Sequence, residues 1–316
     1  MLTVASIISA AQQIAKCSGY DTQALNLFNA ILMGLCNDVD SSLSREVYNF
    51  DFNPGLTTNF GSGPYNLPVD YLRASGSSGE GQKTFFWTLD GVPHLMIPCD
   101  LSEFDMQVQN AGRSSYPLLW ATDMANTSVS SSSRYKAMTT IATTINNVTA
   151  TLASATGVAI GDGIAGEGIG PCTRLNNLVG VTATLSIAAA ATLTAGSVII
   201  GMPPQAYAYP PPSGAYPVTI RYQKMMPPIV NTANYPWFPD DGYLIEELAG
   251  RLMEITDDAR ATEFLGNGQM PGRAGRRLRL FLQNDNDKKN RPQQVELDRR
   301  NFRFPRRLRD TKQIWG

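Results

Sequence analysis

The sequence predicts an α+β fold: an antiparallel helical bundle built from both chain ends, a β-rich middle, and an inserted small β-sandwich domain. Three observations predict it. Apolar residues recur at three- and four-residue spacing only toward the two ends. Between them the pattern becomes two-residue alternation punctuated by Gly and Pro. Within that middle, residues 126–200 turn to Thr, Ala, Ser, Gly and Val, the charged ones being only Arg134, Lys136, Asp162, Glu167 and Arg174.

The first element is a helix over residues 3–17, where Val4, Ile7, Ile8, Ala11, Ile14 and Ala15 form one apolar stripe. Thr3 is its expected cap and Gly19 its stop. A second helix starts at Asp21 or Thr22 and carries Leu25, Phe28, Leu32, Leu35 and Val39. The short connection makes the two an antiparallel hairpin over 1–45. From residue 46 to 125 the chain reads as β. Val47, Phe50 and Phe52 lead into the turn Asn53-Pro54-Gly55, and strands follow over 65–72, 83–89 and 94–97. Asp90-Gly91 marks a hairpin.

In 126–200, Val148-Thr-Ala-Thr-Leu152 recurs as Val181-Thr-Ala-Thr-Leu185. Short alternating strands between Gly-rich turns indicate a small sandwich or barrel, and the repeated pentapeptide raises an internal duplication. Residues 201–240 return to β structure through a Pro-rich stretch, the strand 218–222 and the stiff turn Pro236-Trp-Phe-Pro-Asp240. Bundle helices occupy 241–287: a long one over 243–264 with Leu244, Leu248, Leu252, Ile255 and Ala259 on one face, then one over about 272–284. The latter sets Leu278, Phe281 and Leu282 beside Arg273, Arg276, Arg277 and Arg279.

Residues 288–316 form an extended basic arm. Ten Lys and Arg stand against Glu296, Asp298 and Asp310, so the arm is cationic although the whole chain has a net charge of only −1. Pro292 and Pro305 preclude a continuous helix. Arg299, Arg300, Phe302, Arg303, Phe304, Arg306, Arg307 and Trp315 combine charge with aromatic anchors, the composition of a segment that orders on a partner. A solvated tail, a tail folded back on its own domain, and a nucleic-acid contact are the other readings.

The composition argues against several function classes. Near-neutrality gives no global attraction to nucleic acid or membrane. Cys17, Cys36, Cys99 and Cys172 lack metal-site or redox spacing, and the expectation is synthesis in a reducing cytosol. The N-terminus lacks the pattern of a signal peptide, and no apolar run approaches the ~18 residues of a membrane span. His94 is the sole histidine, which removes support from a Ser-His-Asp triad or a His-based metal site. Gly161-Asp-Gly-Ile-Ala-Gly166 matches GxGxxG, but Glu167-Gly-Ile-Gly-Pro171 follows where a dinucleotide site needs a helix. The acids Asp240, Asp241, Glu246 and Glu247 stand at a helix start, where capping explains them. The expectation is no enzyme, no cofactor and no metal.

Several segments in order carry a resemblance. They are Leu67-Pro-Val-Asp-Tyr-Leu-Arg73, Gly91-Val-Pro-His94, Tyr216-Pro-Val-Thr-Ile-Arg-Tyr-Gln-Lys-Met-Met-Pro-Pro228, Pro236-Trp-Phe-Pro239, and the helix from Tyr243 to Arg260. Together they resemble the head-to-tail adaptor proteins of short-tailed bacteriophages, the tail tubular protein A or gatekeeper family. The resemblance covers 1–125 and 200–316; the insert departs from it. It implies a virion structural protein, made in the host cytoplasm, that forms a homo-oligomeric ring of twelve. Such a ring joins the portal protein to the tail nozzle protein, sometimes meets fibres, and lines the channel through which DNA is ejected. It also directs the arm to the portal. Arg273, Arg276, Arg277 and Arg279 would then face the channel, or serve subunit or portal contacts. A carbohydrate- or receptor-binding tail module is the alternative, suggested by the insert together with Tyr207, Tyr209 and Trp237 read as exposed.

Overall fold

The computed structural model describes residues 1–39, 42–58, 61–74, 85–99, 104–106, 115–123, 135–267 and 270–290. The fold is mixed α+β with a β-rich middle. Helices α1 (Val4–Ala15), α2 (Asp21–Asp38), α3 (Asp241–Ile255), α4 (Ala261–Leu265) and α5 (Arg273–Asn290) come from the two chain ends. They share one apolar core. Val4, Ile7, Ile8 and Ala11 of α1 and Phe28, Ile31, Leu32 and Leu35 of α2 meet Leu244, Leu248, Leu252 and Met253 of α3. Leu278, Phe281 and Leu282 of α5 cover its side. Full burial of one such side chain contributes about 1.5–3 kcal/mol, so α3, which touches all the other helices, holds the assembly together.

The helix ends follow local chemistry. Thr3 caps α1, its hydroxyl accepting from the Ser6 N–H at 3.3 Å. The stop comes earlier than Gly19: Lys16 takes the left-handed conformation (φ 52°), and the Cys17 N–H reaches back to the Gln12 carbonyl at 3.1 Å. The expected long helix over 243–264 is likewise two. Asp257 adopts φ 53° and the Asp258 N–H closes on the Met253 carbonyl at 2.9 Å, while Thr256 turns its hydroxyl onto the Leu252 carbonyl. An αL closure ends a helix whatever the periodicity beyond it, so Ile255 and Ala259 are exposed rather than buried. Ile14 is also exposed.

The strands are β1 (Arg45–Asp51), β2 (Thr57–Thr58), β3 (Gly61–Asn66), β4 (Tyr71–Ala74), β5 (Phe85–Leu89), β6 (Val92–Leu95), β7 (Ile97–Pro98), β8 (Leu119–Asp123), β9 (Tyr135–Thr143), β10 (Thr149–Leu152), β11 (Gly163–Gly166), β12 (Leu175–Val179), β13 (Thr182–Leu185), β14 (Leu193–Gly201), β15 (Gln205–Tyr209), β16 (Pro217–Lys224), β17 (Gly266–Asn267) and β18 (Met270–Pro271). One sheet runs β1-β16-β5-β6, with β4 on the same side of β16 as β5; a second runs β2-β3-β15-β8-β7. The two share a single core in which Phe52, Tyr71, Phe85, Trp87, Ile220 and Tyr222 meet Tyr65, Trp120, Ala206 and Ala208. On β1 the inward residues are Tyr48 and Phe50, and Val47 faces out. The expected strand over 65–72 is broken by Leu67–Asp70, which passes the chain from one sheet to the other.

The third body is the insert. Its six strands run β11-β14-β9-β10-β13-β12, and the ends join: Gly163 bridges Arg174, with the Ile164 N–H on the Thr173 carbonyl and the Leu175 N–H on the Asp162 carbonyl, both at 2.9 Å. The expected sandwich is therefore one sheet closed on itself. Every strand sends residues inward, among them Ile141, Leu152, Ile164, Leu175, Leu185 and Val198. Closure leaves no open edge, and register shifts in the β12–β13 and β14–β9 pairings help the sheet to curl. The two Val-Thr-Ala-Thr-Leu copies pair with each other, Ala150 opposite Ala183. Exchanging β9, β10 and β11 with β12, β13 and β14 returns the same circular order, so the pentapeptides sit on a local two-fold axis. The barrel is spliced between β8 and β15, which are paired neighbours.

Candidate interaction surface

Helix α5 starts after Pro271, where Gly272 tucks against the Phe264 carbonyl and the Arg276 N–H bonds to the Gly272 carbonyl. Its first turns set two arginines against α3. Arg277 reaches Asp240 and Glu246 at 3.3 Å, and Arg273 reaches Glu246 and Glu263 at 3.5 Å while lying over the Phe264 ring. Both side chains are about half exposed, so each pair contributes only about 0.2–1 kcal/mol. Their main effect is to align α5 on α3. Arg276 and Arg279 are exposed and have no ion-pair partner among the described residues. The predicted basic face is thus divided: Arg273 and Arg277 hold the fold, and Arg276 and Arg279 point outward.

The arm residues Arg299, Arg300, Phe302, Arg303, Phe304, Arg306, Arg307 and Trp315 lie outside the described residues. Glu247 pairs with Arg251 one turn on, and Asp240 caps α3 by accepting from the Tyr243 N–H at 3.0 Å. Of the four acids read as capping groups, Asp240 does cap; Asp241 accepts from the Leu2 N–H, Glu246 pairs with Arg273 and Arg277, and Glu247 with Arg251.

Residues 225–240 stitch the β structure to the helices. The Met225 N–H bonds to the Asp70 carbonyl at 2.7 Å. The Asn29 amide grips Ile229 at both ends, donating to its carbonyl at 3.0 Å and accepting from its N–H at 2.9 Å. The Thr232 and Asn234 carbonyls then accept from the Ala5 and Val4 N–H groups, satisfying donors that every helix start leaves open.

Between this segment, the barrel and the first sheet lies a cavity of about 780 Å³. Its charged groups are Glu46, Asp70, Glu167 and Lys224. Lys224 and Glu46 pair at 2.7 Å. Burial pushes the Asp70 carboxyl up to about 6, Lys224 lowers it and Glu46 raises it, and the Tyr222 hydroxyl bonds to it at 3.3 Å. The Tyr222 hydroxyl is driven far up by burial and by Asp70. Sequence reading passed over this convergence. Yet Asp70 and Lys224 belong to two segments of the resemblance, 67–73 and 216–228, and these pair in the sheet: Gln223 lies opposite Arg73 and Lys224 opposite Tyr71.

The sequence decoys resolve as structure. His94 stacks on Trp87 with ring centroids 4.4 Å apart. In Gly161–Gly166 a turn at Gly161 leads into β11, which takes up Gly163–Gly166, and no helix follows. Tyr207 and Tyr209 are half-buried around Phe104, and Trp237 packs on the helical core, so the three form no exposed platform. Among the described residues no cluster of three metal-ligating side chains occurs, and no helix is long and apolar enough to cross a membrane. No protein-family model and no curated protein sequence matches the chain.

Proposed function

We propose that the chain is a structural subunit of a head-to-tail adaptor in a short-tailed phage virion. Twelve copies form a ring that joins portal protein to tail nozzle protein and surrounds the DNA exit channel. The subunit performs no chemistry of its own. The observation that carries this reading is the division of α5: one arginine pair fastens the helix to α3, the other faces outward, and the helix runs directly into the basic aromatic arm. A helical core made from both chain ends, the antiparallel bundle of the reading, would form the ring body. The two β bodies would reach toward nozzle and fibre.

Electron microscopy of the protein mixed with its portal tests the proposal. A twelvefold ring seated under the portal is expected, and a chain ending at Lys289 is expected to fold but not to co-sediment with portal. Normal co-sedimentation of that truncated chain refutes the role of the arm. Failure of the full chain to assemble on portal refutes the adaptor itself.

A further inference from the structure

The cavity has features that the adaptor reading leaves unused. Its volume of about 780 Å³ falls within the ~300–1,000 Å³ range of sites that enclose a compact ligand, and it is too small for a folded domain. The wall is mostly apolar, from Ile169, Met225, Met226, Ile229, Tyr235 and Trp237. Methionines adapt to irregular partners, and tyrosine and tryptophan faces accept cations. The charge is unbalanced. Lys224 is engaged by Glu46 at 2.7 Å, and Asp70, which accepts from Tyr222 at 3.3 Å, has no ion-pair partner within salt-bridge distance among the described residues. Glu167, exposed at the rim, has no ion pair among the described residues. A nearly buried carboxylate beside an apolar wall calls for a cation on an apolar stem.

We propose that this cavity receives residues 291–316 of the same protein, with an arginine or lysine near Asp70 and Glu167 and an aromatic ring on the apolar wall. The charges match: this segment has eight Lys and Arg against three acids, and it carries Phe302, Phe304 and Trp315. The place matches as well. Phe281 of α5 packs on Phe238 at 4.8 Å, and Phe238 directly follows Trp237 of the cavity wall. From Asn290 the remaining 26 residues span up to about 85 Å when extended, so they reach the cavity of their own subunit or of a neighbour. The inference does not rest on the adaptor reading, because it concerns the subunit without portal. A portal that took up the arm would draw it out of this cavity.

Zero-length carbodiimide coupling of the full chain tests it, because Lys312 is the only lysine in the segment. Lys312 is expected to couple to Glu46, Asp70 or Glu167, and mixing labelled with unlabelled protein tells insertion within a subunit from exchange between copies. Either outcome supports the proposal. Hydrogen exchange at residues 166–170 and 225–229 is expected to be at least tenfold slower in the wild-type chain than in Phe302→Ala/Phe304→Ala/Trp315→Ala. Coupling spread evenly over exposed acids such as Asp51 and Glu254 overturns the proposal, as does exchange that differs by less than twofold.

Discussion

Replacing Asn29 by Ala removes a side chain that ties residues 225–237 to α2 through two hydrogen bonds. The amide makes two bonds to Ile229, at 2.9 and 3.0 Å, in the geometry of a strand bridge. Ile229 is 7% exposed, so water cannot fully replace either bond. A buried backbone group left unpaired costs about 1–3 kcal/mol, and there are two of them. Partial relaxation of so short a segment brings the expected loss to about 2–4 kcal/mol, roughly a 30- to 700-fold shift in the local opening equilibrium. Amide exchange at Ile229 reads the effect directly. Exchange at Val4 and Ala5 should accelerate with it, because their carbonyl partners, Asn234 and Thr232, lie on the same segment. Asn29→Asp keeps the acceptor for the Ile229 N–H but sets a carboxylate oxygen against its carbonyl, so it should not rescue. Urea unfolding within about 0.5 kcal/mol of wild type, with Ile229 exchange unchanged, would show that the amide clamp does not hold this segment.

Three further outcomes are expected. Gly166 holds φ 154°, and a Cβ there would stand 2.3 Å from the Ser197 carbonyl, so Gly166→Ala should cost at least about 2 kcal/mol and open the β11–β14 pairing in exchange measurements. Asp257 holds φ 53° at the end of α3, and Asp257→Gly should raise stability by about 0.5–1 kcal/mol in urea titration. In the chain lacking the three arm aromatics, Asp70 should make stability fall with rising pH. Its folded value of about 6 lies above the ordinary 3.8, so the native state binds the extra proton; its contribution is complete below 3.8 and is lost as pH rises through about 6. The difference amounts to about 3 kcal/mol, and Asp70→Asn should flatten that slope in unfolding curves between pH 4 and 7. An unchanged slope would place the proton elsewhere.

Much of the local structure was legible in the residues. Most of the α1 and α2 stripes, the α3 stripe as far as Leu252, the Thr3 and Asp240 caps and the Asp90-Gly91 hairpin appear where they were read. Each rests on groups a few residues apart. The αL stops at Lys16 and Asp257 were not legible, because neither is the glycine that normally marks such a position. Nor was the split of the arginine face, since Arg273 and Arg276 differ only in what α3 sets opposite them.

By itself, then, the sequence determined the order of helical and β segments and which side chains avoid water, because periodicity and turn chemistry act within a few residues. Tertiary structure decided what covers each apolar face. It joined two sheets over one core, closed the insert on its own edge, and placed both Val-Thr-Ala-Thr-Leu strands side by side. It also brought Asp70 to Lys224 and Asn29 to Ile229. Those contacts join residues more than 150 positions apart, and hydrogen bonds over that separation leave no periodic trace in the chain.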